Sequence, residues 1–180
     1  MDETRLIEGE AGRRPAGEGW FVVNVGDAEW LRDETFGAAT QFESREARFK
    51  ELGINIQVLQ PGQPNGLYHA ESNQEDFLVL AGECLLIVED QERLLHAWDF
   101  VHCPAGTCHI FVGAGEDACL VLMVGTRTPD DTIVYPVSEV ALRHRAGVER
   151  ETTDAHEAYA GRADTRPGRP DGWDDLPWAK

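Results

Sequence analysis

Between Ile54 and Gly125 the chain is cut into short apolar runs at near-regular intervals, and this pattern constrains the fold more than any other feature. The runs are INIQVLQ (54–60), FLVLAG (77–82), CLLIVED (84–90), LLHAWDFVHC (94–103), HIFVGAG (109–115) and ACLVLMVG (118–125), separated by Gly, Asp, Glu or Pro turns. No amphipathic helix intervenes, so the pattern predicts an antiparallel sandwich or barrel and argues against a parallel α/β sheet. In the first run Ile54, Ile56 and Val58 alternate onto one face, and Pro61-Gly62 ends it.

The flanks read differently. Residues 1–19 are rich in Gly, Arg and Glu and carry only Leu6 and Ile7 as sizeable apolar groups, which predicts a flexible arm or a strand lent to a neighbour. WFVVNV (20–25) is β-branched and aromatic and predicts a strand; AEWLRD (28–33) predicts a short helical or turn segment; FGAATQFE (36–43) predicts a second strand. Beyond Thr128-Pro129-Asp130, PVSEVALRHRAG (136–147) predicts a helix, and Asp154 with Glu157 predicts the start of another that Gly161 ends. The last stretch is dense in Pro, Gly and charge, with Trp173 and Trp178 as its large anchors. It reads as an irregular tail pinned by those indoles onto the barrel or a partner. The expected division is an arm (1–19), a barrel (20–128), and a C-terminal helical extension with a Pro/Gly-rich tail (129–180).

A length of 180 residues with 42% hydrophobic content suits one domain with a real core. The formal charge of −17 opposes contact with nucleic-acid backbones and anionic membranes. The opening MDETRLIEGE fits neither a secretory signal nor a transit peptide, and no run approaches the roughly 20 apolar residues of a membrane-spanning helix. Cys84, Cys103, Cys108 and Cys119 form no C-x-x-C pair. The expectation is a soluble, reduced, cytoplasmic protein.

The chemistry lies in two stretches. Read as strand, His69 and Glu71 point to the same face, and Glu75 shares a face with Phe77 and Val79. A carboxylate heading an otherwise apolar inward row is costly unless it is paired or bound to a cation. In WDFVHCPAGTCHIFVGAG (98–115), Pro104 and Gly106 shape a turn that delivers His109 onto a strand whose next same-face residue is Phe111. Two histidines and one or two glutamates projecting into one barrel would form a metal site, and such donors suit Fe, Mn, Ni, Cu or Zn better than Ca or Mg.

At these residues the sequence resembles the cupin superfamily. His69, Glu71, Glu75 and Gly82 occupy its first motif (62–82), and Pro104, Gly106 and His109 its second (98–113), with Glu83 to Ala97 as the short segment between them. The resemblance spans Ile54 to Gly125. It implies an all-β cupin jelly-roll barrel, here with a short C-terminal helical extension, and a divalent transition metal (Mn, Fe, Ni or Zn) held by His69, Glu75 and His109. Glu71 stands where the family has its second histidine, which makes it a substituted fourth ligand. Trp98 replaces the first glycine of the second motif, Gly113 its asparagine, and Gly62 lies one residue upstream of its usual place. By family analogy the chain pairs as a homodimer and holds a small-molecule ligand in its barrel.

Charge arithmetic frames the role of Glu71. Three ligands leave a divalent ion at +1 with open positions, whereas a bound Glu71 makes the site neutral and the ion a weaker Lewis acid; left free, Glu71 is a candidate general base. Three functions follow: a small metal-dependent enzyme, oxygenase- or isomerase-like, acting on a small organic substrate; a non-catalytic small-molecule or metal-binding module; or a metal-free structural barrel in which the glutamates only satisfy the histidines. Elsewhere, Asp76 is expected to face outward, Cys108 to fill space, and Tyr68, Phe77 and Phe111 to pack as core. His102 is expected to bond to backbone in the core or at the surface, and His96, His144 and His156 to be solvated.

Overall fold

A computed structural model describes residues 1–162 and 164–179. In chain order the strands are β1 (Leu6–Gly9), β2 (Gly12–Pro15), β3 (Glu29–Asp33), β4 (Gly37–Gln41), β5 (Leu52–Leu59), β6 (Ala70–Glu71), β7 (Glu75–Ala81), β8 (Glu83–Val88), β9 (Gln91–His96), β10 (Phe100–Cys103), β11 (His109–Ala114), β12 (Cys119–Thr126), β13 (Ile133–Val134) and β14 (Arg166–Pro167), with helices α1 (Glu139–Arg143) and α2 (Ala155–Ala158) before the last. A seven-stranded sheet, ordered β10-β7-β12-β5-β4-β3-β14, faces a three-stranded sheet ordered β11-β8-β9. The pairs within both are antiparallel. The run from Pro64 to His69 extends the smaller sheet along β11 through bridges Pro64 to Val112 and His69 to His109.

Alternation places the core. Between the sheets lie Leu59, Phe77, Val79, Cys84, Leu86, Cys103, Phe111, Cys119 and Val121, all buried. The opposite face of β5, with Ile56 and Val58, packs with Trp30, Ala38 and Leu120 against Leu176, Trp173 and Trp178. The indoles of the tail therefore pin it onto the barrel, with Trp173 and Trp178 centred 5.8 and 5.3 Å from the Trp30 ring. The outer face of the smaller sheet (Tyr68, Ile87, Ile110, Val112) is covered by Ala141 and Ala146 around α1. The C-terminal extension thus closes both outer faces of the barrel, where apolar burial at about 25 cal/mol per Å² favours it over solution.

Several local readings need correction. WFVVNV makes no strand: only Trp20 bridges, to Glu3, and Val22 stays 76% exposed because no neighbouring strand lies alongside. AEWLRD, expected as helix or turn, is instead β3, paired on both sides and fixed by the fully buried Trp30. Residues 1–19 contain a hairpin, β1 with β2, whose Pro15 is fully buried. The helix expected over 136–147 is shorter, beginning after Ser138, whose side chain accepts the Ala141 N–H. Asp154 caps α2 by accepting the His156 N–H, and Gly161 follows it at φ 76°.

Of the departures from the family pattern, Trp98 carries a steric cost and Gly113 has a steric explanation. LLHAWDFVHC is two strands with a turn between them, and Trp98 in that turn has φ 76°, a conformation glycine adopts freely and an L side chain does not. At Gly113 a Cβ would lie 2.2 Å from the Gln60 carbonyl oxygen, so no side chain fits.

Candidate metal centre

The turn after β10 carries His109 to the start of β11, and β11 holds His69 beside it through reciprocal backbone bonds of 2.9 and 3.3 Å. Glu75 opens β7 on the inner face of the larger sheet, two residues before Phe77. The structure brings one ligand atom each of His69, Glu75 and His109 within 4.8 Å of one another. Ligands of one transition ion, each about 2.0–2.2 Å from it, lie no more than about 4.4 Å apart, so rotamer-scale movement closes the difference.

Hydrogen bonding fixes which imidazole nitrogens face the cluster. Nδ1 of His69 lies 2.7 Å from the Leu67 carbonyl oxygen, and Nδ1 of His109 lies 3.0 Å from that of Thr107. A carbonyl only accepts, so each Nδ1 carries the proton and each Nε2 presents a bare lone pair. The His109 Nε2 is 3.4 Å from the Glu75 carboxylate. This contact has ion-pair spacing without ion-pair protonation. Burial, then the neighbouring His69, depresses His109 to about 4, while burial, then Glu71 and Asp131, pushes Glu75 up to about 8. Near neutral pH it is a neutral imidazole beside a protonated carboxyl. Burial likewise lowers His69.

Of the four expected ligands, Glu71 stands apart. Its carboxylate is 3.9 Å from His69 Nε2, but it lies outside the three-residue group and lines a surface cleft with Ser72, Gly106, Cys108 and Asp131. Burial and Asp131 raise it above the usual carboxylate range. Asp76 faces outward and is bound to His102 at 2.7 Å, which replaces the backbone partner expected for that histidine. His144 and His96 also have acidic partners: for His144, Glu92 at 2.7 Å, which β9 presents to the end of α1, and for His96, Glu83 at 3.3 Å, its partner across the β8–β9 pair. Sequence reasoning missed Tyr135, whose buried ring lies 5.9 Å from His69 and 5.9 Å from Tyr159. It falls after β13, outside either motif, and no spacing rule points to it.

Two facing antiparallel sheets with a His/Glu/His cluster between them define an all-β barrel. Residues 55–125 match the family model for the cupin domain, and over this segment the chain is similar to the cupin superfamily. Members of that superfamily commonly bind a divalent metal. Among solved structures the chain is similar to a polyketide cyclase, RemF, from Streptomyces resistomycificus (16% identity, 61% of this chain and 82% of that one, TM-score 0.52). It is also similar to a predicted oxalate decarboxylase from Thermotoga maritima (21% identity, 59% and 99%, TM-score 0.52). A sugar phosphate isomerase from Silicibacter pomeroyi is 28% identical, over 54% of this chain and 64% of that one, with a TM-score of 0.49. The chain thus spans less than two thirds of that isomerase. No curated protein matches the chain significantly. Among the described residues no helix is long and apolar enough to cross a membrane.

Proposed function

We propose that this cupin barrel holds a divalent transition ion (Mn, Fe, Ni or Zn) on His69, Glu75 and His109 and acts as a small metal-dependent enzyme on a small organic substrate. One observation carries the reading: two bare Nε2 lone pairs converge on a half-buried carboxyl that has no cationic partner among the described residues. Such a cluster is unfavourable by itself and suited to a cation. The backbone carbonyls that hold each Nδ1 proton do what outer-shell partners do in metal sites, fixing ring orientation and tautomer.

When bound, the ion supplies Lewis acidity toward a substrate oxygen. The chain's own residues do the rest. Glu71 lies beside His69 with its carboxyl raised above the usual range by burial and Asp131, and this position lets it accept and return a proton at its carboxylate oxygen. We assign it as general base and not as fourth ligand. The Tyr135 and Phe77 rings flank the histidines and exclude water from their faces. The fold does not choose the reaction, because the cyclase and decarboxylase it resembles carry different activities. Proton movement by Glu71 suits isomerase- or decarboxylase-like chemistry. Replacing Glu71 by Gln tests the assignment: metal content stays and turnover of an identified substrate falls about 100-fold or more. Loss of the metal would make Glu71 a ligand instead.

A further inference from the structure

The inner face of the larger sheet carries a second polar feature that the metal centre does not use. β12 pairs Gly125 with Gly53 of β5 on one side and with Glu75 of β7 on the other. These three residues form one row across the inner face, and two of them have no side chain. A Cβ on Gly125 would lie 3.6 Å from Glu75 Cγ, whereas one on Gly53 would lie 3.3 Å from Nη2 and 3.4 Å from Nε of Arg127. The row is therefore a bare floor with the Glu75 carboxyl at one end and the Arg127 guanidinium over the other. Glu75 and Gly53 stand two strands apart, about 10 Å between backbones.

Arg127 is already held in place. Its Nη1 and Nη2 donate to the two Glu43 oxygens at 2.8 and 2.7 Å, and Nη1 donates also to the Phe49 carbonyl at 2.7 Å. The Glu43 carboxylate accepts the Phe49 N–H at 2.7 Å, which locks the pair to the chain. This engages one fork of the guanidinium. The other, Nε with the remaining Nη2 proton, makes no hydrogen bond among the described residues and lies along Gly53. One row further in, the Asn55 side-chain oxygen is buried without a partner. Arg45, Arg48 and Lys50 line the 470 Å³ cleft that borders Arg127, alongside Glu18 and Glu46. Lys50 there is paired with Glu18 at 3.3 Å.

We infer that the free fork of Arg127 is the anchor for a carboxylate or phosphate group of the substrate, with Gly53 leaving room for the guanidinium and Gly125 a bare floor along which the rest of the molecule reaches His69, Glu75 and His109. The inference rests on the metal-centre reading for the reacting end, but the anion site stands on its own geometry. A planar fork recognises a carboxylate or phosphate through two parallel hydrogen bonds, which a lysine cannot reproduce. The substrate class is a small organic anion.

Equilibrium titration with malonate and with inorganic phosphate, glycerol serving as the neutral control, tests this on chelator-treated and Mn-loaded protein. Malonate or phosphate is expected to bind the wild type in both preparations and glycerol not to bind. Arg127→Lys, which keeps a cation beside Glu43, is expected to weaken anion binding about tenfold or more with unchanged circular dichroism and metal stoichiometry. Gly53→Ala, whose Cβ presses on the free fork of Arg127 while removing no charged group, is expected to weaken it too. Anion binding that is absent from the wild type, or unaltered by both substitutions, overturns the inference even if metal binds. Binding that depends on Arg127 and survives chelation upholds it even if the metal reading fails.

Discussion

The two ends of the barrel interior are built from the same strands and solve opposite problems. Toward Leu59, Val79, Leu86 and Val121 the inward row is apolar and buried, with Phe77 and Phe111 rings 4.7 Å apart. Toward Gly53, Gly125 and Glu75 the same strands carry no large apolar side chain, and ionisable groups, an orphan amide oxygen and glycine floor take its place. The packed end contributes stability by burial, and the polar end forgoes it. A fold departs from full packing where a ligand must enter. The contrast also separates scaffold residues from chemical ones, which gives it experimental consequences.

The largest effect is expected at the packed end. Phe111→Ala empties a fully buried site and should lower unfolding free energy by about 3–5 kcal/mol in denaturant titrations, with metal content per folded chain unchanged. Equal loss of metal and stability would erase the distinction between the ends.

The polar end should reveal itself through pH. A carboxyl raised from 4.5 to about 8 keeps its proton longer in the folded chain than in the unfolded one, so Glu75 removes stability as pH rises across that interval. His109, depressed from 6.5 to about 4, adds stability as pH rises between those values and none above them. Metal-free protein should therefore lose stability between about pH 6.5 and 8. Chemical denaturation at stepped pH should show this slope, and Glu75→Gln should abolish it. Because the ion must displace the Glu75 proton, metal affinity should rise over the same interval. A metal affinity independent of pH from 6 to 8 would place the ion elsewhere.

The smallest effect concerns neither end. Trp98 is 74% exposed and sits at φ 76°, so Trp98→Gly should raise stability by about 1 kcal/mol with no change in metal content. A destabilised variant would mean that the indole makes contacts exceeding its backbone strain.

What the sequence revealed follows the range of the forces involved. Strands β5, β7, β8, β11 and β12 were legible because alternation and turn residues are local, and His69, Glu75 and His109 because motif spacing carries them. β3 was not, since Trp30 is made a strand residue by tail indoles more than 140 positions away. WFVVNV failed for the converse reason, having strand composition and no partner. Spacing put Glu71 on the face of His69, where it lies, but parity alone does not say how far a carboxylate reaches. The Arg127 site did leave a trace: a glycine inside an alternating strand, Gly53, marks a close approach, although only the sheet register shows what approaches.

On the proposed reading, His69, Glu75 and His109 together hold one divalent transition ion. Elemental analysis of protein prepared without an affinity tag, before and after incubation with Mn, Fe, Ni or Zn, tests it directly beside His109→Ala. Close to one ion per wild-type chain is expected for at least one of these metals, and essentially none in a folded His109→Ala variant. Substoichiometric wild-type metal that does not rise on incubation, or equal metal in both proteins, would contradict it.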